Sequence, residues 1–557
     1  MTNPEIVILN GRCITFAQPN ITALAVKDGK IVALGTDAEM RPLAGPDTKI
    51  IDARGQTVLP GFIDSHVHIF LGSAELSNLN LRGLKGREAL ANAIADYAAT
   101  HPGDGMIVAN AALYDILGPG EETTRWKLDA ILPDRPILLM AQDLHTGWAN
   151  TIALEKAGIL HGAKLPEGNE IVMAPDGTAT GMLKEFAAIT PVMRLSALGG
   201  RDQLGIDTGR NPSPAATPAQ RAHDKEVLLK GLHHCARQGI TTLHNMDGNV
   251  YQLELLQELD DEGLLPLRIE VPMLLTNSDP IERIDEALEM RRRFNSEMVW
   301  SNRVKMFMDG VLESYTAFML RPYPGKPENH GEEIFAAEHF NRACITADKL
   351  GLQISVHAVG DGAVRRVLDG FEAAQKANGK RDSRHRIEHI EVISPTDLPR
   401  FAELGVVASM QPPHAPNGGH FGLAPVGDIL YPDQLPHHFQ WRGMKDTGAH
   451  LVFSTDWPVI PIDVMRVIRT AVSAGPIWTD SPDPRLSLLE TLAAYTCDNA
   501  WVEFGENKKG KLAPGYIADI AILSGDIEAT DPEEIEGLTA AVTICNGKIT
   551  WTDGTLA

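Results

Sequence analysis

The 557-residue chain lacks a cysteine framework, a bilayer-spanning run and the positive charge that a nucleic-acid partner demands. Its five cysteines (Cys13, Cys235, Cys344, Cys497 and Cys545) are odd in number, widely spaced and form no Cys-x-x-Cys pair. That excludes a disulfide scaffold and points to a reducing cytoplasm with buried structural thiols. No stretch reaches the roughly 18 apolar residues of a spanning helix. The opening Met1-Thr2-Asn3-Pro4-Glu5 has no basic stretch leading into an apolar core, so no signal peptide is expected. Fifty Lys and Arg against 73 Asp and Glu leave a formal charge of −23. Such a surface repels phosphate backbones and anionic lipid, which argues against nucleic-acid and membrane partners.

What is present reads as globular: 43% apolar and 22% charged residues, with 50 Gly and 36 Pro scattered rather than clustered. The length exceeds one ordinary domain, but a barrel with long insertions absorbs it. The two ends resemble each other. Leu24-Ala25-Val26-Lys27-Asp28-Gly29-Lys30-Ile31-Val32 near the start matches Val542-Thr543-Ile544-Cys545-Asn546-Gly547-Lys548-Ile549 near the end. β-branched runs joined by Asp-Gly or Asn-Gly signal hairpins with type I′ turns. Both ends are therefore expected in one small composite β-sandwich, residues 1–58 with 506–557.

Between them, residues 59–505 alternate short β-rich runs with helical patterns. Strands are expected at 57–64, 106–110, 137–141, 241–245, 267–275, 304–308, 353–357, 386–390, 406–411 and 450–455. Helices are expected at 215–237, 281–295, 336–350, 364–378 and 488–503. Repeated strand–helix units imply a parallel sheet and here an α/β fold, a (β/α)8 TIM-type barrel. An insertion is placed around 156–220, with a hairpin at 171–183. Active residues of such barrels gather at the C-terminal strand ends.

The chemistry-bearing residues fall there. The run Thr57-Val58-Leu59-Pro60-Gly61-Phe62-Ile63-Asp64 leads into Ser65-His66-Val67-His68, whose two histidines share one side of a strand and can converge on one ion. His357, His389 and Asp456 each close another β-run. Lys305 stands inside the apolar run Val304-Lys305-Met306-Phe307-Met308. A buried unpaired ammonium is costly; the lysine either pairs with a nearby Glu, snorkels, or reacts with carbon dioxide to give an anionic carbamate ligand. The pairs His233-His234 and His437-His438 diverge in direction and read as structural or exposed.

With these motifs the chain resembles the amidohydrolase superfamily, and within it the amidohydrolase family 3 branch of YtcJ-like and N-substituted formamide deformylase-like proteins. Val58 to His68, Val304 to Gly310, Val356 to Gly362, Arg386 to His389, Ser454 to Val459 and Lys511 to Asp519 carry the resemblance in order. It implies that His66, His68 and Asp456 hold one metal, usually zinc, and that His357 and His389 hold a second with carboxylated Lys305 between them. A bound divalent cation lowers the pKa of water from about 15.7 toward 7. Asp456 is then the general base and later the acid, and His145 the candidate donor to the oxyanion.

Tyr114, Asp115, His414 and Trp457 are candidates for substrate contact, with Tyr315 and Phe318 lining an apolar pocket or simply packing. Glu185 is expected on the surface of the insertion hairpin and Asp361 at a helix cap. The leading expectation is a metal-dependent hydrolase of a C–N bond in an amide, N-formyl or N-acyl small molecule, dimeric by superfamily habit. Ester, lactone or cyclic-amidine hydrolysis on the same site, a metal-dependent isomerase or lyase, and a non-catalytic scaffold barrel are the alternatives.

Overall fold

The computed structural model describes residues 3–142, 144–166, 168–419 and 426–556. The two chain ends meet in paired sheets. One orders Lys30–Gly35, Ala23–Lys27, Ile6–Leu9 and Lys49–Asp52; the other orders Arg12–Cys13, Thr57–Pro60, Ile520–Leu523, Ala540–Cys545 and Lys548–Thr552. Thr57–Pro60 runs antiparallel to Ile520–Leu523, with Val58 opposite Ile522. Ile8, Leu24 and Val26 of one sheet share an apolar cluster with Val58, Ile522 and Val542 of the other. The turns follow from residue type. Asp28 and Gly29 take φ of 50° and 72°, and Asn546 and Gly547 take 52° and 73°, the left-handed pairs that a type I′ turn requires.

The interior of the chain is built on parallel strands with helices between them. Phe62–Val67, Ile240–Asn245, Arg268–Glu270 and Val299–Trp300 make one sheet. Met273–Leu274, Arg303–Phe307, Gln353–Ala358, Arg386–His389, Val407–Met410 and His450–Phe453 make a second. The two are continuous along the chain, because Arg268–Glu270 pairs with Val299–Trp300 and, a few residues on, Met273–Leu274 pairs with Arg303–Phe307. At the other edges, Val67 and Trp457 form a parallel bridge. There Asp456 N–H donates to His66 O (2.9 Å) and His68 N–H to Trp457 O (2.7 Å). Nearly every side chain on these strands is buried. Among the described residues no helix is long and apolar enough to cross a membrane.

The runs at 106–110 and 137–141 do not join this parallel set. They appear as Ile107–Ala112 and Ile137–Ala141 in a separate six-stranded sheet with Glu170–Met173, Ala179–Lys184, Thr146–Ala149 and Leu79–Asn80. The added sheet therefore begins well before residue 156. Ile107–Ala112 and Ile137–Ala141 are parallel to each other and covered by apolar clusters on both faces. A strand buried on both sides is a continuous apolar run in either setting, so its pattern does not say which sheet takes it. The hairpin expected at 171–183 is present, as Glu170–Met173 against Ala179–Lys184.

Candidate metal centre

The first parallel strand delivers His66 and His68, and the chain after His450–Phe453 delivers Asp456. Backbone bonds across the edge set the approach, and Asp64 reinforces it. Its carboxylate accepts from Thr455 Oγ1 (2.8 Å) and Tyr495 Oη (2.7 Å). Asp456 takes a φ of 64° and His389 a φ of 74°, a region that non-glycine residues rarely adopt and that collects at functional sites. His66 Nε2 and His68 Nε2 lie 3.3 and 3.5 Å from Asp456 Oδ1. All three side chains are buried.

The protons of these imidazoles are committed elsewhere. His66 Nδ1–H donates to Glu388 Oε2 (2.9 Å) and His68 Nδ1–H to Asp247 Oδ1 (3.1 Å). Glu388 is held by Arg386 (Nε to Oε1, 2.9 Å), and Asp247 accepts from Gln252 Nε2 (3.0 Å). A neutral ring that donates through Nδ1 presents a lone pair at Nε2. Two such lone pairs then face Asp456 Oδ1, a buried oxygen with no hydrogen-bond partner. Three acceptors gathered in a buried site call for a cation, and carboxylate–histidine pairs of this kind orient metal ligands. The donor set fits a divalent metal of the zinc type.

A proton can answer the same pull toward positive charge, on His68 rather than on His66. Burial lowers the His66 imidazole to about 4, against the pull of Asp456 and Glu388. Burial also opposes charge on His68, yet Asp247 and Asp456 outweigh it and raise that ring to about 9. Asp456 itself is held at about 2, because His66, His68 and His414 overcome the cost of burial. The field of the site favours positive charge at its centre.

Among the described residues a second set of three donors is His389, His414 and Asp456. His389 Nδ1–H donates to Gln411 Oε1 (3.0 Å), and His414 Nε2 lies 3.8 Å from Asp456 Oδ2. His357 belongs to neither set. Its ring is 4.5 Å from that of His389, but its Nε2–H donates to Gly310 O (3.1 Å). Lys305 is fully buried, its Nζ has no hydrogen-bond partner, and the amine lies 4.5 Å from the Phe307 ring centre. Burial, with Arg386 and Arg303 nearby, lowers it to about 8 against Glu388 and Asp456. A lysine so placed is a ready source of neutral amine.

A cavity of about 960 Å3 opens beside this cluster, lined by His145, Glu185, Phe186, Phe307, Asp309 and Gly310 among others. His145 arrives from the added sheet, its ring 6.5 Å from that of His357. Glu185, expected on the surface, instead bonds His145 (Oε2 to Nδ1, 2.8 Å) and lines the cavity. The hairpin turns inward there because Glu185 takes a φ of 63°.

Three expected substrate contacts lie elsewhere. Tyr114 is 44% exposed and bonds Thr146 Oγ1 (2.8 Å), while Asp115 pairs with Lys85 in solvent (3.1 Å). Both follow a strand of the added sheet rather than a strand of the parallel set. Trp457 packs on the helix Ile69–Glu75, where a side chain at Gly72 would come within 2.6 Å of its ring. Tyr315 and Phe318 likewise pack, Tyr315 against Tyr323 (5.2 Å). Asp361 is not the cap residue; it sits in the first turn of Asp361–Asn378 and accepts from Leu320 N–H (2.8 Å). Asp247 and Gln411 were missed, although each follows a strand end in the same way as the residues selected.

The protein-family comparison matches residues 49–551 to the amidohydrolase family. The chain belongs to that family. Among curated proteins it is 28% identical over 93% of its length to Protein LONG AFTER FAR-RED 3 of Arabidopsis thaliana, covering 87% of that protein. It is 27% identical to the putative amidohydrolase YtcJ of Bacillus subtilis (95% and 96% of the two chains). It is 25% identical to the N-substituted formamide deformylase of Arthrobacter pascens (94% of each). Of solved structures, an uncharacterized metal-dependent hydrolase from Pyrococcus horikoshii superposes with a TM-score of 0.73 at 24% identity, over 96% and 99% of the chains. Zinc-complexed atrazine chlorohydrolase from Arthrobacter aurescens gives 0.53 at 17%, over 98% and 94%. The fold of the chain is thus of the α/β TIM-barrel type.

Proposed function

We propose that the protein is a metal-dependent hydrolase that cleaves the C–N bond of an N-formyl or N-acyl small molecule. The observation that carries this reading is the convergence of His66 Nε2, His68 Nε2 and the unpartnered Asp456 Oδ1 in a buried site. The formamide deformylase relative supplies the substrate class. A bound divalent cation, zinc by its donors, supplies an acidified water and polarises the carbonyl. His66, His68 and Asp456 hold it, Glu388 and Asp247 orient the two rings, and His389 with His414 or His357 is available to a second ion. Asp456 takes the proton of the attacking water and passes it to the departing nitrogen as the C–N bond breaks. His145 donates a hydrogen bond to the carbonyl oxygen as charge develops on it.

Lys305 adds to carbon dioxide through its neutral amine, losing one proton to form a carbamate. That converts an unpaired buried amine into a ligand. The same reading takes the parallel strands as a closed (β/α)8 barrel, residues 59–505, carrying the added sheet. The sheets from 1–58 and 506–557 form a composite β-sandwich beside it. The deciding experiment loads purified protein with zinc, counts metal per chain, and assays N-benzylformamide, N-acetylbenzylamine and phenyl acetate. At least one zinc per chain and release of benzylamine are expected. Stoichiometric zinc without release of amine from either amide overturns the reading.

A further inference from the structure

The rings at the two candidate ion positions are held by partners of unequal charge. At the first position both imidazoles give their Nδ1 proton to a buried carboxylate, His66 to Glu388 (2.9 Å) and His68 to Asp247 (3.1 Å). Arg386 offsets the charge of Glu388 through a 2.9 Å pair. Asp247 has no such relief. Among the described residues its one ion pair is with His68, and its other oxygen meets the Gln252 amide (3.0 Å).

The second position is built differently. His389 Nδ1–H donates to the side-chain oxygen of Gln411 (3.0 Å), whose nitrogen donates to Ser454 Oγ (2.9 Å). His357 Nε2–H donates to the Gly310 carbonyl (3.1 Å). Two carboxylate oxygens stand nearby but beyond hydrogen-bond reach, Asp309 Oδ1 3.7 Å from His357 Nε2 and Glu391 Oε1 3.9 Å from His414 Nδ1. Asp309 is engaged by the N–H groups of Phe318, Val359 and Gly360 (2.9, 3.0 and 2.9 Å).

Glu388, Asp247 and Gln411 are all buried, so any charge they carry reaches the ring with little screening. A carboxylate behind an imidazole makes it a stronger ligand and attracts the cation in front of it, whereas an amide or carbonyl only fixes the ring. Such a partner is worth about 10- to 100-fold in metal affinity. We propose that the two positions fill in order. The ion held by His66, His68 and Asp456 binds about 100-fold more tightly than an ion held through His389, and Asp247 and Gln411 set the difference. A carbamate on Lys305, shared by the two, leaves the order unchanged. The proposal rests on the metal-dependent reading of the site, and it makes the protein a one-ion hydrolase wherever zinc is limiting.

The test titrates metal-free, full-length protein with zinc alone, in bicarbonate buffer and against competing chelators. Wild type should take one zinc tightly and a second about 100-fold more weakly. Asp247→Asn should weaken the first about 10- to 100-fold and leave the second. Gln411→Glu places a carboxylate behind His389 and should tighten the second by a similar factor without moving the first. Two ions of equal affinity in wild type, or a second ion that does not tighten in folded Gln411→Glu, overturn the proposal.

A crystal of wild-type protein at one zinc equivalent decides the matter without any variant. Anomalous density should lie between His66 and His68, with none beside His389; density beside His389 first overturns the order. Protein that takes up no zinc removes the metal-dependent reading and the proposal with it. Ordered zinc without release of amine from the amides removes the hydrolase reading and leaves the order standing.

Discussion

The strand-end cluster and the added sheet solve the same problem, holding an imidazole in one orientation, by different means. His66 near the end of one strand and His68 just past it are both buried, each pinned by a carboxylate from another strand end. His145 sits on a hairpin, partly shielded, pinned by Glu185, 40 residues along the chain, and by the Phe186 ring. The first arrangement spans residues far apart in sequence and depends on the whole parallel set. The second is local and depends on one strained backbone position. A cation site, which must hold its donors in one geometry, is built from the first kind of support. A group that meets variable substrates is built from the second, where local change leaves the core alone.

This contrast can be broken at its strongest point first. Asp456→Asn should cost about 10³-fold in kcat while zinc stays bound, measured by turnover and metal analysis together; unchanged turnover would remove Asp456 from the chemistry. Next, Glu388→Gln should weaken zinc binding about 10- to 100-fold in a chelator competition. Glu185→Gly should not move it. Equal effects of the two changes would erase the distinction between the regions.

A third prediction concerns the support beneath the strands. Glu503 pairs with Lys509 (2.7 Å) and with His244 on the strand Ile240–Asn245 (2.9 Å) in a buried cluster. Burial raises its carboxyl, but Lys509 and His244 outweigh that and hold it at about 2 instead of 4.5. Because the folded value is depressed, its contribution is complete above pH 4.5 and drains away as pH falls toward 2. Glu503→Gln should cost about 3 kcal/mol in chemical denaturation at pH 7, and the variant should lose less further stability on acidification. The smallest effect is expected at Tyr114→Phe and Asp115→Asn, both within about twofold of wild-type kcat/KM, as for exposed side chains outside the cavity.

Much of the cluster was legible because strand-end histidines and aspartates carry their own signal: an apolar run, then a ligand, then a turn. His66, His68, His389 and Asp456 were found this way, and the same grammar also contained Asp247. What hid Asp247 and Gln411 is that they touch rings rather than the site centre, and pairing across strands leaves no trace in local spacing. The terminal hairpins were legible from Asp28-Gly29 and Asn546-Gly547, where turn chemistry is local. The assignment of 106–110 and 137–141 failed for the converse reason, since burial on two faces looks alike in any parallel sheet. Glu185 was misplaced because a hairpin end usually faces solvent, and only its left-handed φ, which sequence does not announce at a glutamate, turns it inward.

The pairing of Thr57–Pro60 with Ile520–Leu523 bears on how the protein is made. The strand that carries His66 and His68 continues directly from that pair, and Thr455 reaches Asp64 across 391 residues of chain. On a ribosome, therefore, the two histidines emerge early and wait for almost the entire polypeptide before their partners arrive. Metal capture becomes a late event in biogenesis, and a chain truncated shortly before residue 520 would carry every proposed ligand without the strand that seats the first two.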